Sequence, residues 1–156
     1  MYASQVDNDS GLLVGLFAGH HQADADFDRV SESLNAADRN ATARSLTLIF
    51  VLVVDREAEQ PSPSRRRAMA ENNKRLTAAR YLFAFVTPNT VLRGILTAVR
   101  WLTGERTGHE VESFASPPEA FEWVRRMTGQ AYPQLEALYD RARKSTLRST
   151  PGRPTV

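Results

Sequence analysis

Apolar residues fall into two kinds of run along this chain, short continuous blocks and longer stripes spaced by three or four. The block Leu46 to Val54 is apolar everywhere but Thr47 and rich in β-branched residues, the composition of a strand covered on both faces. Tyr81 to Thr87, closed by Pro88, reads the same way, and Leu12 to Ala18, ending at Gly19, reads as another firm strand. Tyr2 to Val6 predicts a short strand leading into a turn at Asp7, Asn8, Asp9, Ser10 and Gly11, where polar side chains bond local backbone and glycine tolerates positive φ. Glu110 to Ala115 alternates, with Val111 and Phe114 among polar neighbours, as a shorter peripheral strand would.

Helical stripes lie between and after these blocks. Asp24 to Asp38 puts Phe27, Val30, Leu34 and Ala37 on one face, with acids in the first turn where the helix dipole favours them. Ser62 followed by Pro63 is a cap with proline at the first helical position, and the helix it starts is expected to run through Met69 and Leu76 towards Ala79. From Asn89 or Thr90 to Leu102 a broad stripe carries Val91, Leu92, Ile95, Leu96, Val99 and Leu102, with Gly104 placed to end it. Ser116, Pro117, Pro118 and Glu119 form a capping box ahead of Ala120, Phe121, Val124 and Met127, and Gly129 stops that helix. Tyr132 to Lys144 predicts a short last helix through Leu135, Leu138 and Tyr139. Ser145 to Val156 is polar, contains proline and is expected to be a flexible tail.

Strands alternating with helices at these spacings predict an α/β fold: a mixed, mostly parallel sheet of four to five strands, with helices on both faces and a short C-terminal helix. Leu46 to Val54 and Tyr81 to Thr87 should be inner strands. Residues 1–144 form one domain on this reading. Ligand sites in such sheets lie beyond the carboxyl ends of the strands, here the loops Gly19 to Gln22, Asp55 to Ser64 and Thr87 to Thr90.

Composition narrows the function classes. The 156 residues are 42% hydrophobic, enough for a sizeable core without covalent staples. The absence of cysteine removes disulfides, thiolate zinc sites and thiol nucleophiles, and fits a cytoplasmic protein. Met1 to Gly11 lacks the basic and apolar regions of a signal peptide, and the apolar run Leu48 to Val54 is too short to span a bilayer. A net charge of +2 does not imply nucleic acid: the arginines at 65–67 and those from Arg141 to Arg153 lack interleaved aromatics and any groove-reading motif.

The order of these segments resembles the STAS-like domains, the superfamily of anti-sigma-factor antagonists and sulfate-transporter tails, and particularly its soluble stand-alone branch grouped with lipid-binding carriers. The resemblance covers about Leu12 to Gly129. It rests on the hairpin entry, the strand ending in Val54 and Asp55, the helix after it, the strand Tyr81 to Thr87 and the helix Thr90 to Leu102. It implies a module that binds a protein partner or a small ligand, switched in the anti-sigma antagonists by phosphorylation of a serine at the start of the helix after the central strand. Here Asp55 is followed by Arg56, Glu57, Ala58, Glu59, Gln60 and Pro61, and the nearest serines are Ser62 and Ser64, so the resemblance carries over the location of a switch.

Candidate chemistry is sparse, and no catalytic residue, metal site or cofactor is expected. Arg65, Arg66 and Arg67 sit in a first helical turn, where the dipole disfavours cations and free amides favour anions. Either an anion, a phosphorylated Ser62 or Ser64 or an acidic partner belongs there, or Glu57 and Glu59 pair locally with the arginines. Asp55 and Thr87 end neighbouring strands as in a phosphoacceptor corner, but Gly19, His20 and His21 supply no acidic pair for magnesium and no strand-end lysine follows, so Asp55 is expected to bond loop amides. His20, His21 and His109 read as exposed loop residues, and no nucleophile elbow or phosphate loop is present. Trp123 shares a core stripe. Trp101, flanked by Arg100 and near Arg93, marks a candidate protein or homodimer interface. The expected function is a non-enzymatic binding or regulatory module; the alternative is a carrier of a small apolar or lipid-like ligand held between the sheet and the broad helix.

Overall fold

A computed structural model describes residues 1–19, 23–95 and 106–148. Its strands are β1 (Tyr2–Asp7), β2 (Leu12–Phe17), β3 (Leu48–Val54), β4 (Tyr81–Val86) and β5 (His109–Phe114). The helices are α1 (Asp24–Ala43), α2 (Pro63–Lys74), α3 (described over 90–95), α4 (Pro117–Thr128) and α5 (Gln134–Arg148). The five strands form one sheet in the order β1-β2-β3-β4-β5, with β1 antiparallel to β2 and every other pair parallel.

Alternation along the inner strands sorts side chains into two cores. Leu13, Phe17, Leu48, Phe50, Leu52, Tyr81, Phe83 and Phe85 face α1 and the start of α3, meeting Val30, Leu34, Ala37, Ala41 and Leu92. Leu12, Val14, Leu16, Ile49, Val51, Val53, Leu82, Ala84 and Val86 face α4 and α5, meeting Ala120, Trp123, Val124, Leu135, Leu138 and Ala142. This two-sided burial is why β3 and β4 read as continuous apolar blocks. Phe50 and Phe83 stack across β3 and β4 with centroids 5.0 Å apart.

Close approach fixes two glycines. Gly11 turns the hairpin into β2 at φ 71°, and a side chain there would run into the Thr47 carbonyl. At Gly15 a Cβ would lie 2.8 Å from the Tyr2 ring, which crosses β2 at that point.

Several boundaries differ from expectation. α1 continues past Asp38 to Ala43, because Asp38 and Ala41 extend the buried stripe. The third strand starts at Leu48, with Leu46 packed on the core from the preceding loop. α2 ends at Lys74 and has no buried residue, and Leu76 reaches the core from the loop beyond it. β5 is His109–Phe114, one residue earlier than predicted. At α4, Glu119 reaches back as expected, but to the Ser116 hydroxyl (3.0 Å), and Ser116 makes no side-chain cap bond. The segment from Ser145, expected to be tail, is helical to Arg148, and Thr146 is buried. The remainder of that segment, 149–156, lies outside the described residues.

Candidate functional site

The carboxyl ends of β2, β3 and β4 open onto one rim, and side chains stitch its loops together. The Asp55 carboxylate accepts the Gly19 N–H at 3.0 Å, joining the loops after β2 and β3. Asn89 donates its side-chain amide to the Arg56 carbonyl at 3.2 Å, joining the loops after β3 and β4. The Asn89 side-chain oxygen also accepts the N–H groups of Val91 (3.0 Å) and Leu92 (3.3 Å), capping α3. Asp55 thus bonds a loop amide, the role its position suggested.

Ser62 caps α2, its hydroxyl accepting the Arg65 N–H at 3.3 Å, with Pro63 following it. The Ser62 and Ser64 hydroxyls are 2.9 Å apart and both residues are exposed. Arg65 folds back from this turn onto α1. Its guanidinium pairs with Asp24 and lies over the Phe27 ring, 4.3 Å from the centroid. The acid that meets Arg65 therefore comes from α1, not from the neighbouring loop acids Glu57 and Glu59. A guanidinium over an aromatic face with a carboxylate at its edge is held in place by both contacts. Arg66 is half-buried and Arg67 exposed, with no ion pair to another described residue.

The stacked Arg65 and Phe27 side chains are a wall shared by two hollows between α1 and α2. One, of about 440 Å³, is lined by Asp24, Ser31, Ser64 and Met69 among others, and the smaller, of about 180 Å³, by Glu59, Gln60, Pro61 and Ser62. The corner thus combines an apolar floor, hydroxyls, a cation in place and acids opposite it. Among the described residues no group of three or more His, Asp and Glu side chains converges to hold a metal ion.

The other expected sites are placed differently. Arg93 turns inward, donating to the Thr87 carbonyl at 2.7 Å, so its guanidinium braces the start of α3. Arg100 and Trp101 lie outside the described residues, as do His20, His21 and the segment Leu96 to Leu102 over which the helix was expected to continue. On the described part of α3, Leu92 and Ile95 pack against the sheet while Val91 is 57% exposed. His109 is not a loop residue: it opens β5, with its Nε2 3.0 Å from the Ala78 carbonyl and its ring edge-on to Tyr81. Burial holds its imidazole below the ordinary value, Arg106 acting in the same direction and the Ala78 carbonyl and Asp38 opposing.

Two buried carboxylates escaped the sequence reading. Asp26 accepts the N–H groups of Tyr2 (3.0 Å) and Ala23 (3.2 Å), and Asp38 accepts those of Thr77 and Ala78. Their signal was present: both acids lie at helical spacing from Val30 and Leu34, on the buried face of α1.

Comparison with family models, with curated proteins and with solved structures returns no match for this chain. No described helix is long and apolar enough to cross a membrane.

Proposed function

We propose that this chain is a STAS-like binding module without chemistry of its own, acting through a protein partner at the corner where α2 begins, under the control of an anionic group. The observation that carries the reading is the position of Arg65, stacked on Phe27 and paired with Asp24 between two hollows. A phosphoryl group on Ser64, or an acidic group of a partner, would compete with Asp24 for that guanidinium at a helix start whose amides favour anions. Moving Arg65 would uncover the Phe27 ring and merge the hollows, changing what the corner presents. Arg66 and Arg67 supply further positive charge beside it.

Thermal stability in sulfate or phosphate tests this reading. The wild type should gain melting temperature with added anion, beyond the effect of chloride at equal ionic strength. Replacing Arg65, Arg66 and Arg67 with glutamine should remove the gain. A wild type indifferent to both anions would leave Arg65 as a structural brace between α1 and α2.

A further inference from the structure

Strand β1 is an edge of the sheet, hydrogen-bonded among the described strands to β2 alone. Met1 and Ala18 exchange both backbone bonds, at 2.9 and 3.1 Å, and the register continues Ala3 with Leu16 and Gln5 with Val14. Such pairs recur at every second residue of an antiparallel ladder, so Ala3, Gln5 and Asp7 turn their amides towards β2, and Tyr2, Ser4 and Val6 turn theirs outward. Tyr2 obeys this parity, its N–H being taken by the Asp26 carboxylate. The outward N–H groups of Ser4 and Val6 meet no acceptor among the described residues.

The two edges of the sheet are protected differently. β5 carries Glu110 and Glu112, the charged composition that discourages strand addition. β1 has no charge from Tyr2 to Val6, no proline and no bulge, and its Val6 side chain is 47% exposed.

We propose that β1 pairs antiparallel with β1 of a second copy of this chain, joining the two sheets across a two-fold axis at Gln5. In that register Ser4 faces Val6 of the other copy and Val6 faces Ser4, so each outward donor without an acceptor finds a carbonyl. Tyr2 keeps Asp26 and ends the ladder. Asp7 falls opposite Ala3 of the other copy, so like charges do not meet. A second copy is the occupant because the two open positions, two residues apart, satisfy each other under the two-fold. Neither Ser4 nor Val6 lines the Arg65 corner, so this interface stands or falls apart from the proposed function.

Sedimentation equilibrium combined with amide hydrogen exchange tests the pairing. The wild type should dimerise, with protection at Ser4 and Val6 that rises with protein concentration. Ser4→Pro removes an outward donor without touching the ladder to β2 and should weaken dimerisation by about tenfold or more, since two interstrand bonds are lost per dimer. Val6→Lys, which puts a charge on the edge, should weaken it without altering the fold. A wild type that stays monomeric at its highest soluble concentration would overturn the proposal. So would a dimer unchanged in both folded variants, or protection of Ser4 and Val6 that needs a different protein.

Discussion

The carboxylate of Asp38 accepts the backbone N–H of Ala78 at 2.8 Å, tying the C-terminal part of α1 to the residues that lead into β4. The same carboxylate takes the Thr77 N–H through both oxygens, at 3.0 and 2.9 Å, and the Thr77 hydroxyl at 2.8 Å. One buried acid thus satisfies the amides of a loop that no strand or helix pairs. Asp38→Ala should cost about 3 kcal/mol or more in chemical denaturation, because it leaves these part-buried donors without an acceptor. Asp38→Asn, which keeps one carbonyl oxygen, should cost less than the alanine substitution. Loss of under about 1 kcal/mol in both would show that water replaces the carboxylate.

Gly15 and Tyr2 make a second testable contact. A methyl group at Gly15 would meet the Tyr2 ring at 2.8 Å and Leu52 at 3.1 Å, and both neighbours are buried. Gly15→Ala should destabilise by about 1–3 kcal/mol through overpacking. In a Tyr2→Ala background the same change should cost clearly less. Equal costs in the two backgrounds would mean that the strain lies elsewhere.

His109 gives the fold a pH dependence of defined sign. Burial lowers its folded-state pKa below the ordinary 6.5, so the neutral ring is the form the fold favours. Its contribution is therefore complete above the unfolded value and is lost as pH falls through the folded one. Melting temperature should drop as pH falls below the ordinary 6.5, and less so in His109→Asn, which does not titrate there. An equal drop in both proteins would assign the effect to the carboxylates.

The inner strands and the two-faced layering were legible in the sequence because burial on both sides leaves no polar position in β3 or β4. The start of α2 was equally plain, since Ser62 and Pro63 act locally. What escaped depends on distant partners. Asp24 and Phe27 meet Arg65 only because α1 and α2 lie side by side, and sequence proximity pointed to Glu57 and Glu59 instead. Asp38 ended the predicted helix because an acid breaks an apolar stripe, although its spacing from Leu34 and Ala41 marks a buried carboxylate. His109 looked like a loop residue because its partner, the Ala78 carbonyl, comes from the adjoining loop ahead of β4.

Backbone amide spectra recorded during titration with inorganic phosphate report where an anion sits, and so whether it binds at the start of α2. Saturable shifts should centre on Ser64, Arg65 and Arg66, extend to Asp24 and Phe27 as Arg65 moves, and be absent when the three arginines are glutamine. Shifts that never saturate, that centre elsewhere, or that persist in the glutamine variant would contradict binding there.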